Sequence, residues 1–538
     1  MRRLTKGISS LFPVLLFLFV ASSCTSSRPG SPAVDSQPGA VQNPPDVGAA
    51  IPHPEPPQPE HEILPPQQSE EEEKKTANPH GEPRLIDVMP TVFLDGEPFP
   101  NARHYDAAFP DPRRTFYVSV ESPAGGDGSE KRPWKDLQFA LTRLQPGDRL
   151  VVIPGIYEGP FTIGKDCRDG TKEAPIQVYA DDAFLKSSSG ADVLTVERPF
   201  WQFWEVQIAL LHSRGSGFVT KGPAAHDIAV DQSHIYEGEG PAVRFEAGSS
   251  RITLSSCHIH QGRGVEIDTG TRDITIVADH IHHNSGTSLT IGAGDVSREP
   301  AENISVLGNR FHNDRGHAVE LRRCRHVRLS ENKISNYRPE GSFAGDAVVV
   351  AAGSSDVAFE NNTILEATRA ISVGGNSSES GPDRVAFRRN YLENQLTRQS
   401  TALLVRGGRE IHFENNIVDR YEEPFDVGSA GVSEVSIANN LVIRPAFAWD
   451  VASFGVFNLF DFNVFGGEST LQGSVGGRAS RAADWIGRRM PHSRLVPGAE
   501  ISGRDLGKIV GFSALDAGTA VKGLSFKGLA PDIGIAEH

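Results

Sequence analysis

Two short apolar segments carry charged residues in alternation, VEID at 265–268 and VELR at 319–322. Residues two apart in a β-strand point to the same side. Glu266 and Asp268 therefore lie on one face of their strand, and Glu320 and Arg322 lie on one face of theirs. A carboxylate can transfer a proton, a pair of carboxylates can help to hold Ca²⁺, and a fixed guanidinium can neutralise an anionic group. We therefore predict that these four side chains contribute to one polar site.

Histidines recur beside these segments. His260, His282 and His312 end three successive short segments, HIH, HIH and RFH, and His317 lies in the loop that follows the last of them. Lys333 begins the next equivalent segment. These groups could supply a base and positive charge, and a stripe of outward histidines could also bind a transition metal. The alternative is a solvated surface that keeps a strand edge soluble.

A repeat must position all of these groups. The pattern V/I-x-apolar-x-x-Asn-x-apolar recurs every 22–30 residues. The nine copies begin at Ile228, Ile252, Ile274, Ile304, Val327, Val357, Val385, Ile411 and Val435. Their Asn column reads Ser233, Cys257, Asp279, Asn309, Asn332, Asn362, Asn390, Asn416 and Asn440. Three short strands per copy predict a parallel β-helix, with the Asn column at a left-handed turn, forming a ladder. Cys257 is predicted to pack there as a small buried side chain.

The composition agrees with an all-β protein and excludes several classes of function and fold, among them general nucleic-acid binders and disulfide-rich proteins. The 538 residues include 54 Gly and 37 Pro, and the net charge is −15. A chain this acidic is a poor general nucleic-acid binder, because phosphate binding needs a dense basic surface. Four cysteines cannot form a disulfide framework at this size, and there is no P-loop, CxxC or HExxH motif.

Motifs at both ends of the repeats carry a resemblance to a known family. The opening has GDG at 126–128, PWKDL at 133–137 and VIPGIY at 152–157; the ending has SALDAG at 513–518 and APDIG at 530–534. These motifs resemble those of right-handed parallel β-helix proteins of the pectin-lyase-like, polysaccharide-lyase-like type. The resemblance implies a solenoid of about 9–11 coils. Pro133 is expected to start a capping helix with Trp134, Leu137, Leu141 and Leu144 on one face.

The resemblance also implies that the outer side of the V-x-I strands forms the floor of a sugar groove. Alternation predicts one outward column of Arg244, Glu266, Thr290, Glu320, Val349, Ser372, Leu404 and Asp426. The next column is Glu246, Asp268, Gly292, Arg322, Ala351, Gly374, Arg406 and Gly428. The insertions at 292–303, 335–346 and 374–384 are expected to wall the groove.

We expect a polysaccharide, and specifically an acidic one, as the partner of this groove. The candidate catalytic residues are Glu320, Arg322, His282, His312 and Lys333. The candidate substrate-binding residues are Arg244, Glu266, Asp268 and His317, and Glu266 with Asp268 could also hold Ca²⁺.

Three activities stay open. The first is β-elimination by a lyase. The second is glycan binding without catalysis, which the uncharged outward residues from Val349 to Leu404 favour. The third is inverting hydrolysis, because Glu266 and Glu320 lie two coils apart, about 9–10 Å by strand spacing.

The first 24 residues predict secretion. A basic start precedes an apolar stretch of signal-peptide length, and ASSC at 21–24 resembles a bacterial lipobox. Lipidation of Cys24 would anchor the protein outside the cytoplasm, on the outer membrane of a Gram-negative bacterium. We expect the protein to be a monomer.

Residues 25–84 are rich in Pro, Ser and Glu and are expected to form a disordered tether. The cap and first coils then span 85–215, the repeats 216–445, and the last coils and cap 446–538.

Overall fold

The computed structural model describes residue 94 and residues 109–497, except 212, 340–344, 376–380 and 396–398. It also describes residues 500–501, 509–510 and 518–519. The predicted signal peptide, Cys24, the tether and the APDIG motif lie outside these residues.

The strands stack into three 14-stranded sheets, and successive strands of each sheet come from successive turns of the chain. Every pairing within the three sheets is parallel except the last pair of the second sheet. The chain is therefore an all-β, right-handed parallel β-helix, which confirms the predicted fold class. It has about 13 turns, more than the 9–11 expected, because turns with irregular sequence precede and follow the regular repeats.

Sheet A comprises Arg114–Val118, Asp148–Val152, Ile176–Tyr179, Trp201–Trp204, His226–Asp231, Ser250–Ser255, Arg272–Val277, Ala301–Leu307, Cys324–Ser330, Ser355–Glu360, Asp383–Arg388, Gly408–Glu414, Val432–Ala438 and Phe457–Asp461. Sheet B comprises Phe161–Ile163, Leu194–Val196, Phe218–Thr220, Val243–Phe245, Val265–Asp268, Leu289–Ala293, Val319–Leu321, Asp346–Val350, Arg369–Val373, Thr401–Val405, Glu423–Val427, Asp450–Val451, Gln472–Val475 and Arg478–Arg481. Sheet C comprises Gly155–Glu158, Ala183–Lys186, Gln207–Ala209, His234–Tyr236, His258–His260, His280–His282, Arg310–His312, Lys333–Tyr337, Thr363–Ala367, Tyr391–Glu393, Ile417–Asp419, Leu441–Ile443, Val464–Gly466 and Arg494–Leu495. A separate antiparallel pair joins Glu500–Ile501 to Ile509–Val510.

The core consists of apolar side chains stacked in register from turn to turn. In sheet A, Ile252 pairs with Ile274, Ile274 with Ile304, and Ile304 with Val327, and all four are buried. Each such side chain contributes about 1.5–3 kcal/mol through the hydrophobic effect. Because the inward position of each strand is apolar, the alternate positions point outward and are free to carry polar groups.

A buried ladder fixes the register at the turn between sheets A and C. Asn362 illustrates it: its backbone N–H donates to Oδ1 of Asn390 at 2.9 Å, and its Nδ2 donates to the carbonyl of Leu329 at 3.0 Å. The ladder continues beyond the predicted column to Asn463 and Ser493. Cys257 is buried in it, as predicted, and its N–H donates to Asp279 Oδ1 at 2.6 Å.

One detail of the ladder prediction is wrong. The left-handed residue is the one before each ladder position, for example Asn361 with φ 56° and Arg389 with φ 54°. The preceding residue makes the bend, which leaves the ladder side chain to point inward and pair with the backbone of its neighbours.

A helix, Leu137–Arg143, lies near the start of the solenoid, and two short ones, Phe454–Val456 and Ala482–Trp485, lie near its other end. The predicted apolar face of the first helix is confirmed, because Leu137, Leu141 and Leu144 are buried. The helix starts later than Pro133, since Asp136 caps it by accepting from the N–H of Phe139 at 2.6 Å.

Trp134 precedes the helix in an extended segment that bridges to Val118, and its ring stacks on Phe116. None of the helices in the described part of the chain is long and apolar enough to cross a membrane.

Candidate functional site: the outer face of sheet B

The first predicted outward column on sheet B is confirmed. Arg244, Glu266, Thr290 and Glu320 pair in that order along successive turns, and Val349, Ser372, Leu404 and Asp426 continue the column. In this column, four turns with a charged or polar outward side chain are followed by three turns whose outward side chain carries no charge. The turns from Arg244 to Arg322 form one charged stretch of this face.

The second predicted column is interrupted by a bulge. The register shifts after Ile267, so that Asp268 pairs with Ala293 instead of Gly292. Gly292 has a φ of 81°, and a Cβ added to it would lie 1.6 Å from the carbonyl oxygen of Arg322. Only glycine fits this close approach, and Gly292 is the extra residue of the bulge, so that Ala293 takes its place opposite Asp268.

Glu266 lies at the centre of the charged turns. Only 15% of its side chain is exposed, and its Oε1 accepts a hydrogen bond from Arg263 Nη2 at 3.1 Å. Burial raises the pKa of Glu266, and the charges of Arg263, Arg244 and Arg322 oppose that rise. A carboxylate that is mostly buried yet next to cations is suited to accept or donate a proton in a reaction. The sequence prediction overlooked Arg263, which stands three residues before Glu266.

Asp268 is engaged by an arginine. Arg244 Nη2 donates to its Oδ2 at 2.9 Å, while Oδ1 is buried and has no hydrogen-bond partner among the described residues. Calcium needs six to eight oxygen ligands, whereas Glu266 and Asp268 are surrounded by guanidinium groups. The predicted Ca²⁺ site at this pair therefore does not fit the arrangement of charges.

Glu320 lies in the strand Val319–Leu321 and forms an ion pair with Arg322, the residue that follows this strand. Arg322 is 48% exposed, so its guanidinium can turn towards a ligand. A second pair lies further along the same face, where Arg406 is three turns beyond Arg322 and its partner Asp426 is four turns beyond Glu320. The side chains of Arg322 and Glu320 are 48% and 18% exposed, and those of Arg406 and Asp426 are 44% and 21% exposed. Because the exposures are nearly equal, the second pair can serve as a control for the first.

The first predicted wall of the groove lies between Ala293 and Ala301. Thr269 Oγ1 donates to the carbonyl of Asp295 at 2.7 Å, and Arg323 donates to the carbonyl of Val296. These contacts tie the loop to two turns of the solenoid. The other two predicted walls fall partly outside the described residues, at 340–344 and 376–380.

The histidines do not share a sheet with the carboxylates. His282, His312 and Lys333 belong to sheet C, whereas Glu266 and Glu320 belong to sheet B. His312 and Lys333 line a polar depression of about 340 Å³. The single predicted site is thus divided between two sheets, because sequence register shows which residues stack but not which sheet face they occupy together.

His317 lies in the turn between sheets C and B. Its backbone N–H donates to Thr287 Oγ1 at 3.4 Å, and its ring Nδ1 is 3.3 Å from the carbonyl oxygen of Asp346. It therefore stands at the corner between the two faces.

The family profile described as "Right handed beta helix region" matches residues 291–444. The matched segment lies within the parallel β-helix described above. No curated protein matches it.

Three solved structures are similar to this β-helix. Pectate lyase Pel9A is 15% identical, covers 79% of this chain and 96% of its own, and has a TM-score of 0.38. The GH136 lacto-N-biosidase from Eubacterium ramulus is 13% identical over 57% of this chain and 64% of its own, with a TM-score of 0.43. The alginate lyase from Paenibacillus sp. str. FPU-7 is 15% identical over 56% and 93%, with a TM-score of 0.36.

Proposed function

We propose that the outer face of sheet B binds an acidic polysaccharide and cleaves it by β-elimination at the turns around Glu266. The observation that carries this proposal is the environment of Glu266, a largely buried carboxylate of raised pKa beside Arg263, Arg244 and Arg322. Such a group combines a proton acceptor with fixed positive charge, which are the two requirements for removing a proton next to a carboxylate.

The proposed reaction assigns one role to each group. Arg322 leaves Glu320 and pairs with the carboxylate of a uronate unit, which stabilises the negative charge that develops when the C5 proton is removed. Glu266 takes that proton. The C4–O bond then breaks, a C4=C5 double bond forms, and the leaving oxygen receives the proton from Glu266. Arg244 and Arg263 hold neighbouring anionic groups of the polymer.

A second candidate function is glycan binding without cleavage. It is favoured by the uncharged outward side chains of Val349, Ser372 and Leu404, which extend the face beyond the charged turns without offering an acid or base. Inverting hydrolysis is a third candidate, because Glu266 and Glu320 face the same way two turns apart, about 9–10 Å by strand spacing.

The products distinguish the three candidates. The purified protein is incubated with a panel of uronate polymers and with neutral polysaccharides. β-Elimination yields unsaturated ends that absorb in the ultraviolet, whereas hydrolysis yields reducing ends without that absorbance. Binding with neither product supports the second candidate. Neither binding nor product on any uronate polymer contradicts the proposal.

We further propose that the chain is a lipoprotein that acts outside the cytoplasm, anchored through Cys24 and carried above the outer membrane by the 25–84 tether. The support is the sequence of the first 84 residues alone: a basic start, a short apolar stretch, a cysteine at the expected cleavage point and a Pro-rich segment. A polymer too large to enter the cell would be accessible to an enzyme held in this way.

A further inference from the structure

The outer face of sheet C carries two parallel columns of imidazole rings. The first column is His234, His258 and His280, and the second is His260, His282 and His312. Rings within a column are stacked almost parallel, with centroids 4.8 Å apart for His234 and His258 and 4.8 Å apart for His282 and His312. The two columns together span four consecutive turns, and six of the eight outward side chains on those turns are histidines.

The columns are also in contact with each other. Nε2 of His234 lies 2.7 Å from Nε2 of His260, and Nε2 of His258 lies 2.6 Å from Nε2 of His282. Two groups share His258: His234 with His258 and His260, and His258 with His280 and His282. In each group the available nitrogen atoms all lie within 4.8 Å of one another. His283 joins a third such group with His282 and His312.

Imidazole is a common ligand of divalent transition metals, because its neutral ring offers a lone pair. In this array the ring nitrogens of neighbouring turns already lie close enough together to share one ion.

The distances are close to those that a metal requires. Zinc binds imidazole nitrogen at about 2.0–2.1 Å, so two nitrogens on a tetrahedral ion are about 3.3 Å apart. The Nε2 pairs need to open by about 0.6 Å for this geometry. The rings are half-buried and point away from the core, so ring rotation can supply this change without moving the strands.

The ends of the array direct an ion towards His258. Arg310 and Lys333 continue the first column after His280, and the charge of Arg310 acts on both His280 and His312. At the other end, Tyr236 stacks on His260, and the negative charge of Glu237 acts on His260. A cation is therefore favoured at the end that contains His234, His258 and His260.

We propose that this face of sheet C binds a divalent transition-metal ion, of the class of Zn²⁺, through the imidazoles grouped around His258. Three nitrogens and one water complete a tetrahedral site of this kind. The repeated spacing offers a second group of ligands one turn further along. This site is independent of the proposed activity of sheet B, because it shares no side chain with it.

The test uses the full-length protein without a polyhistidine tag, after removal of metals by a chelator. Zn²⁺ and Co²⁺ are titrated by calorimetry, and the visible spectrum of Co²⁺ reports its ligands. We expect saturable binding of at least one Zn²⁺ and a Co²⁺ spectrum typical of tetrahedral nitrogen ligation. Ca²⁺ and Mg²⁺, which prefer oxygen ligands, should give no binding at this site.

The variant His258→Gln/His282→Gln removes a ligand from all three groups, and we expect it to weaken Zn²⁺ binding at least tenfold. The control is His492→Gln, whose exposed ring stacks on Phe462 outside the array and which should bind like wild type. Equal affinity of the double variant and wild type overturns the proposal. If the double variant does not fold, the wild-type Co²⁺ spectrum decides, and absence of nitrogen ligation overturns the proposal as well.

Discussion

Glu266 is an outward carboxylate of sheet B whose side chain is only 15% exposed to water. Surface ion pairs contribute little because solvent screens them. The side chain of Glu266 is mostly covered, so the nearby arginines and its own burial act on it strongly and in opposite directions. Alternation alone could predict that Glu266 points outward. It could not predict the burial, because that depends on the neighbouring turns and on Arg263.

We expect Glu266→Gln to lower kcat by at least a hundredfold, since a positioned base typically contributes that much or more. Glutamine keeps the size and the hydrogen bond from Arg263 but cannot take a proton. Thermal melting should stay near that of wild type.

The pH profile of the wild type gives a second check on Glu266. The carboxylate must be ionised to act as a base, so activity should rise with pH through its pKa. Because burial raises this pKa, the rise should be centred above the ordinary value of 4.5. Arg263, Arg244, Arg322 and Asp268 are the charged groups that act on it. An acidic limb at or below the ordinary value would contradict the assignment.

Removing the ion pair of the charged turns should abolish activity without unfolding the protein. We expect Glu320→Ala/Arg322→Ala to lose activity on uronate polymers, because the guanidinium that stabilises the enolate is gone. The matched control is Arg406→Ala/Asp426→Ala, which removes a similarly exposed ion pair three to four turns away and should keep activity. The opposite pattern would place the active site at the other end of sheet B.

At the scale of the elements, the repeat predicted most of what the structure shows. The repeat length and the alternation of apolar residues were enough to assign each inward V-x-I position and each ladder position. Stacking favours similar residues at the same place in every turn. Two features could not be assigned. The bulge at Asp268 depends on a close backbone approach to Gly292, and the helix start depends on whether Pro133 or Asp136 caps it.

The ladder makes a prediction about stability. Asn362→Ala or Asn390→Ala should each lower the free energy of unfolding by about 1–3 kcal/mol, because buried backbone groups lose their partners. The control is Asn458→Ala, an exposed position of the strand Phe457–Asp461. Denaturant melts that are the same for all three variants and wild type would show that the ladder does not fix the register.

At the scale of the whole molecule, the three sheets separate residues that are close in the sequence. Only seven residues lie between His312 and Glu320, yet one belongs to sheet C and the other to sheet B. The sequence could therefore predict both columns but not that they serve different surfaces. The histidine column of His234, His258 and His280 was overlooked for a related reason. These residues look like ordinary strand residues until the stacked turns bring the two columns side by side.

The anchoring proposal concerns the part of the chain before the solenoid. Cys24→Ser should release the protein from membranes into the soluble fraction, because the thiol is the proposed acylation point. The melting temperature of the solenoid should not change, since the 25–84 segment separates Cys24 from it in the sequence. Membrane fractionation is the measurement, and unchanged retention would contradict the lipoprotein assignment.

The most direct test of the central proposal is a crystal structure of Glu266→Gln with an acidic oligosaccharide bound. We predict sugar density along the outer face of sheet B, with a uronate carboxylate paired to Arg322 and its C5 atom next to residue 266. Sugar bound only on sheet A or sheet C, or only beyond Val349 on sheet B, would contradict the account.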